Sequence, residues 1–174
     1  IVEHSIVLTA AHCVRYSKPN LVRIGSYNVK NGGVVRKVSK VIIHPDYGSL
    51  NNDYALLLLS EPVYGIRPVG LPEQGVDIVQ NTPIVSIGWG YTSEGSGKTT
   101  EDLMEVDLVS LTNKECNKRY GLDRIKSAML CTWGKWDPKT KQRADACSGD
   151  SGSPNFYYDK SGRIINAGVT SWGS

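Results

Sequence analysis

Asp145-Ala146-Cys147-Ser148-Gly149-Asp150-Ser151-Gly152-Ser153-Pro154 is the stretch on which the reading of this chain turns. It sets a serine in a glycine-flanked turn. A serine hydroxyl is a weak nucleophile at neutral pH and needs a base beside it. It also needs backbone N–H groups aimed at the oxygen that becomes negative during acyl transfer. Neighbouring glycines let the chain take the tight conformation that turns such groups inward. The plain alternative is a polar surface loop, and the run alone leaves the two readings balanced.

Two upstream stretches tip the balance. Leu8-Thr9-Ala10-Ala11-His12-Cys13 offers a histidine, whose ordinary pKa near neutrality suits a base. Asn52-Asp53-Tyr54-Ala55-Leu56-Leu57-Leu58-Leu59 places a carboxylate at the mouth of an apolar run, the pattern of a buried strand. An aspartate there can fix the tautomer of a histidine and stabilise the imidazolium. The order His12, Asp53, Ser151 resembles the chymotrypsin family of trypsin-like serine proteases. An α/β-hydrolase would run Ser, acid, His within Gly-x-Ser-x-Gly, which Ser153 breaks. Val41-Ile42-Ile43-His44-Pro45-Asp46-Tyr47, Arg67-Pro68-Val69-Gly70-Leu71-Pro72, Gly88-Trp89-Gly90 and Ser171-Trp172-Gly173 match further blocks of that family in its order. The resemblance covers nearly the whole chain.

Composition agrees with one globular domain. The 174 residues are 40% hydrophobic and 21% charged, outside the range of disordered chains. The net charge of +3 is mild, and the modest cluster at Lys135, Lys139, Lys141 and Arg143 reads as a solvated loop rather than a nucleic-acid patch. No apolar run approaches the ~20 residues of a membrane span, so neither nucleic acid nor membrane is an expected partner. No secretory leader is visible, and Asn81-Thr82 is spoiled as a glycosylation acceptor by Pro83. His4 is a lone histidine and reads as a surface residue.

Local patterns place the elements. Ile6-Val7-Leu8 reads as a buried strand running into a short helical turn. Leu21-Val22-Arg23-Ile24 and Val34-Val35-Arg36-Lys37-Val38 alternate as half-buried strands do, with Asn31-Gly32-Gly33 as the turn between them. Ala55 to Leu59 is a central strand, ended by Glu61-Pro62. Residues 73 to 83 connect two halves, and Pro83-Ile84-Val85-Ser86-Ile87 opens a second set of strands. Tyr91 to Asp102 reads as an exposed flexible loop. Thr112-Asn113-Lys114-Glu115 is a capping box, starting a helix that runs to about Tyr120 with Gly121 as its stop.

The resemblance implies more than the patterns do. It implies an all-β fold of two six-stranded antiparallel Greek-key barrels, about 1–72 and 83–174, with a catalytic cleft between them and one short helix near 113–120. Against that family the first strands of the first barrel and the last strand and terminal helix of the second are expected to be missing. Ile1-Val2 is followed by Glu3-His4 rather than a glycine pair, so Ile1 is not expected to be an activated terminus. The implied function is a secreted endopeptidase, made as a zymogen, cleaving after Arg or Lys through an acyl-enzyme. Residues 1–174 by themselves are expected to be inactive. The alternative is a non-catalytic homologue or inactive fragment that acts by binding or regulation.

Implied roles attach to named residues. His12, Asp53 and Ser151 form the triad, and the N–H groups of Gly149 and Ser151 the oxyanion hole. Asp145 is the buried floor of the primary pocket. Ser171, Trp172 and Gly173 form a strand that lines it and pairs with substrate. Asp150 pairs with the activation amine and lacks a partner without it. Cys116 and Cys131 form one disulfide, leaving Cys13 and Cys147 without partners, with a Cys13–Cys147 bridge as the lesser alternative. Gly70 stands where many relatives tether a pro-segment. Ile84 and Tyr157 stand together where some carry a further bridge. No cofactor is expected, and no calcium, because residues 26–35 contain no carboxylate to ligate it. Expected partners are protein or peptide substrates and protease inhibitors. Ser153 departs from the usual glycine just after the nucleophile, with an effect the sequence leaves open.

Overall fold

A computed structural model describes residues 1–93 and 95–173. Its first half is built around β4 (Ala55–Leu59). Five apolar residues in a row fit a strand with one face inward. Ala55, Leu57 and Leu59 are buried, while Leu56 and Leu58 are half-buried on the other face. Burying a leucine side chain of this kind contributes about 1.5–3 kcal/mol.

Around β4 a curled antiparallel sheet forms in the order β1-β4-β3-β2. β1 is Ile6–Thr9, β2 is Leu21–Ile24 and β3 is Val34–Ile43. β3 runs past the expected end at Val38. It continues through a register shift between Val38 and Lys40 and takes in Val41-Ile42-Ile43, which pair with Leu57, Leu56 and Ala55. Helix α1 (Ala11–Val14) follows β1 directly. Ala11 and Val14 pack with Val38, Ala55 and Leu57 in one core cluster.

The second half is another antiparallel sheet, in the order β11-β10-β5-β6-β7. Its strands are β5 (Pro83–Gly88), β6 (Met104–Leu111), β7 (Cys131–Gly134), β10 (Pro154–Tyr158) and β11 (Ile164–Val169). Ile84 and Leu108 face each other across β5 and β6 and are fully buried. A small ribbon, β8 (Trp136–Asp137) with β9 (Gln142–Arg143), follows β7. The fold is therefore mostly β, with curled four- and five-stranded sheets, as the two-barrel reading expects. The halves meet where Asn166 N donates to Gly70 O at 2.9 Å and Leu103 N to Tyr27 O at 2.9 Å.

Helix α2 (Asn113–Tyr120) forms where the capping box places it. Thr112 Oγ1 accepts from Glu115 N at 3.2 Å, and Gly121 ends the helix in the left-handed region. The Glu115 carboxylate turns to Lys118 and Arg119, at 3.7 and 3.6 Å. Cys116 and Cys131 are joined, tying α2 to the start of β7, while Cys13 and Cys147 are free thiols. A bridge across a 15-residue separation restricts the unfolded chain by about 3 kcal/mol. Replacing both Cys116 and Cys131 by serine is expected to lower unfolding free energy by roughly 2–4 kcal/mol. Urea denaturation checks this; an unchanged midpoint would show that the bridge contributes nothing.

The loop expected over Tyr91–Asp102 is exposed along most of its length. Its residue Glu94 lies outside the described residues. Val29 N donates to Glu101 O at 2.8 Å and Lys30 pairs with the Glu101 carboxylate at 2.5 Å, tying the loop to the first half. No helix among the described residues is long and apolar enough to cross a membrane.

Candidate active site

His12 is carried on α1 and Asp53 stands just before β4. Pairing of β1 with β4 sets Thr9 opposite Ala55, which brings the two residues together across 41 positions of sequence. Asp53 is 4% exposed, and its carboxylate accepts three hydrogen bonds. Oδ1 takes the backbone N–H of His12 at 2.9 Å. Oδ2 takes His12 Nδ1–H at 2.6 Å and the Ser171 hydroxyl at 2.6 Å. A buried carboxylate needs such donors. Because an ionised carboxylate only accepts, the proton of the neutral imidazole sits on Nδ1. Nε2 is left as the acceptor.

The Cys13 thiol lies 3.8 Å from His12 Nε2. Burial raises its pKa, and the negative charge of Asp53 raises it further. Cys13 is thus held as a thiol and a weak donor to Nε2, a contact that no sequence pattern announces.

The Ser151 loop is drawn against β1 and α1 by Gly152. That residue has φ +87°, in the region glycine favours, and a Cβ there would lie 2.5 Å from Thr9 Oγ1 and 3.6 Å from Cys13 Sγ. Gly152 N donates to Thr170 O at 2.8 Å. Thr170 is anchored in turn by Asn155, whose amide donates to its hydroxyl at 3.0 Å. Ser151 is exposed, and among the described residues its hydroxyl makes no hydrogen bond to His12. Bonds of this kind commonly tighten only when substrate is bound. Gly149 has φ +94°. Among the described residues, no protein acceptor takes the N–H of Gly149 or of Ser151.

Asp150 accepts two backbone hydrogen bonds, and among the described residues no cation pairs with it. Its Oδ1 accepts from Gly90 N at 2.8 Å and its Oδ2 from Cys147 N at 3.0 Å. Hydrogen bonds from backbone N–H groups to an ionised carboxylate are strong, but they bring no compensating charge. The approach requires glycines: a Cβ on Gly88 or Gly90 would fall 2.0 or 2.5 Å from Asp150 atoms. Gly90→Ala is expected to displace Asp150 and cost about 1–3 kcal/mol of stability. A urea midpoint equal to that of the parent protein would contradict this contact. Ser153 fits without displacing the loop. Its N–H donates to Asp150 O and its carbonyl accepts from Thr170 N, both at 2.9 Å.

Asp145 follows β9 in a segment without ladder partners. It is exposed, so it is not the buried carboxylate that the resemblance implies. The covering protein still desolvates the carboxyl and raises its pKa, while the Ala146 N–H at 2.8 Å pulls the other way. No cation pairs with Asp145 among the described residues. Ser171, Trp172 and Gly173 form no strand, because β11 ends at Val169. Trp172 instead packs on the Leu111, Cys116 and Ile125 cluster. The Ser171 hydroxyl reaches Asp53 from 118 residues away. Sequence reading had placed Ser171 only against substrate, and nothing local marks its bond to the carboxylate.

The chain matches the Trypsin family model over residues 1–174. It belongs to the trypsin family. It is 37% identical to the clotting factor G beta subunit of Tachypleus tridentatus, over 99% of this chain and 61% of that protein. It is 36% identical to Trypsin-1 of Astacus astacus, over 99% of this chain and 75% of that protein. It is also 36% identical to Trypsin 5G1 of Aedes aegypti, over 96% and 61% respectively. The chain thus spans 61–75% of the length of these trypsin-family relatives.

Proposed function

We propose that the protein is a secreted serine endopeptidase that cleaves peptide bonds after Arg or Lys through an acyl-enzyme. The observation that carries this reading is the hydrogen-bonded chain His12–Asp53–Ser171, with the Ser151 loop docked beside it. Ser151 Oγ attacks the carbonyl carbon and His12 Nε2 takes its proton. Asp53 holds the imidazole in the required tautomer and stabilises its charged form. The carbonyl oxygen, now negative, is received by the N–H groups of Gly149 and Ser151. Such donors are each worth on the order of 10²–10³ in rate. The C–N bond breaks as His12 returns the proton to the leaving amine, and water then releases the acyl group by the reverse sequence.

Asp145 selects the cation, since a partly desolvated carboxylate without a partner gains by meeting Arg or Lys. Ser171, Trp172 and Gly173 line the path of the substrate backbone. Asp150 is the activation partner in a zymogen mechanism. Its carboxylate retains acceptor capacity beyond the N–H groups of Gly90 and Cys147. The Cys116–Cys131 bridge suits an oxidising extracellular setting. Protein substrates and protease inhibitors are the partners this reading implies.

A non-catalytic role in binding is the competing reading, favoured by the absence, among the described residues, of a hydrogen bond between His12 and Ser151. Labelling of the full-length, activated protein with an organophosphate decides between them. Stoichiometric modification of Ser151 together with cleavage of an Arg-amide supports the protease. An unlabelled, correctly folded protein supports the binding role.

A further inference from the structure

The second half carries a concentration of charge that catalysis does not use. Residues 114–143 hold nine Lys or Arg against three Asp or Glu, a net +6. The remaining residues therefore carry −3 of the chain's +3. All nine cations are exposed.

Folding sets three of these cations, Arg119, Arg124 and Arg143, against indole rings. Helix α2 is pinned to β7 by the Cys116–Cys131 bridge. Arg119 of α2 and Arg143 of β9 both stack on Trp133 of β7, at 4.4 and 4.8 Å from the ring centroid. Arg143 also lies 5.8 Å from the Trp136 ring and donates to Gly134 O at 2.8 Å. Arg124 lies 5.7 Å from Trp172, whose ring meets Tyr120 at 5.4 Å. Glu115 and Asp123 occupy Lys118, Arg119 and Lys126. Among the described residues, Lys114, Arg124, Lys135, Lys139, Lys141 and Arg143 have no carboxylate within 4.0 Å.

We propose that this face binds a linear sulfated polysaccharide. Stacked guanidiniums are already ordered, so less freedom is lost when they meet an anion. Their planar forks match paired anionic oxygens, as they do for phosphate and carboxylate. Trp136 is 54% exposed beside Arg143, so a flat apolar ring for a sugar face stands next to a cation for its sulfate. The Cys116–Cys131 bridge suits an oxidising extracellular setting, where sulfated glycans are the abundant polyanions. The face shares only Trp172 with the proposed substrate path and uses none of His12, Asp53, Ser151 or Asp145; it rests on the proposed function only for the extracellular setting.

Immobilised heparin is the probe, with affinity measured against NaCl concentration. Binding should weaken steeply with salt, because each anion neutralised releases a counterion. The triple variant Lys135→Glu, Lys139→Glu, Lys141→Glu should lose about tenfold or more in affinity and flatten the salt slope. Lys18→Glu, Lys37→Glu, Lys40→Glu makes the same charge change on the first half and should retain most of it. Trp136→Ala should weaken heparin binding while leaving binding to polyglutamate unchanged. Equal losses in the two triple variants would reduce the effect to net charge and overturn the site. Polyglutamate or DNA binding as tightly as heparin, through the same residues, would overturn the polysaccharide assignment.

Discussion

Replacing Ser151 by alanine in the full-length, activated protein is expected to lower kcat for an Arg-amide substrate by about 10⁶-fold. The hydroxyl is the bond-forming group of the proposed mechanism. His12→Ala should cost about as much. The double variant should be scarcely worse, since nucleophile and base act as one unit. Asp53→Asn should cost about 10⁴-fold. An amide at this site offers one acceptor where the carboxylate receives the His12 ring N–H, the His12 backbone N–H and the Ser171 hydroxyl. The imidazole proton would then move to Nε2, the atom that must accept from Ser151. Single-turnover kinetics measure these losses, with far-UV circular dichroism confirming that each variant is folded. A His12→Ala protein that keeps most of its rate would remove the base from the mechanism.

Exchanging Asp145 for serine should collapse the preference for Arg over Phe at the residue before the cut. The loss in kcat/KM for Arg is expected to reach roughly 10²–10³-fold, the effect of removing one partner of a desolvated charge pair. The Phe substrate should change little. Acidity should imitate the variant. Burial raises the pKa of Asp145 in the free protein, so protonation on acidification begins above the ordinary aspartate range. A protonated carboxyl no longer attracts a cation. The Arg preference is therefore full at higher pH and falls as pH drops through that raised value. The same shift makes a small contribution to stability that favours the protonated state and is lost as pH rises. Comparing Arg and Phe substrates across pH separates this from protonation of His12, which lowers both rates together. An Arg-to-Phe ratio that is flat with pH and unchanged in Asp145→Ser would place specificity elsewhere.

Where a feature depends on neighbours in sequence, it could be read from the chain. Helix α2 lies between Thr112 and Gly121 because a side-chain acceptor and a left-handed glycine are local devices. β4 follows from five apolar residues bounded by Asp53-Tyr54 and Glu61-Pro62. The ordered motifs around His12, Asp53 and Ser151 resemble those of the trypsin family, and the family match bears that resemblance out.

Where a feature depends on how distant segments pack, it could not. β3 runs on to Ile43 because β4 is there to pair with it; by itself Val41-Ile42-Ile43 is only an apolar triplet. Nothing near Ser171 says that its hydroxyl will meet Asp53, and nothing near Cys13 that its thiol will face His12. Nothing near Asp150 says that Gly90, 60 residues away, will donate its N–H to the carboxylate. The cluster of Lys135, Lys139, Lys141 and Arg143 reads in sequence as a solvated loop; folding stacks Arg143 together with Arg119 of α2 on Trp133. Periodicity, caps and turn chemistry are short-range, and motif order is written in the chain, so the sequence by itself determined the main elements and the family. Hydrogen-bond partners, burial and charge clustering are set by which surfaces the two sheets bring into contact, and only the tertiary structure decided those.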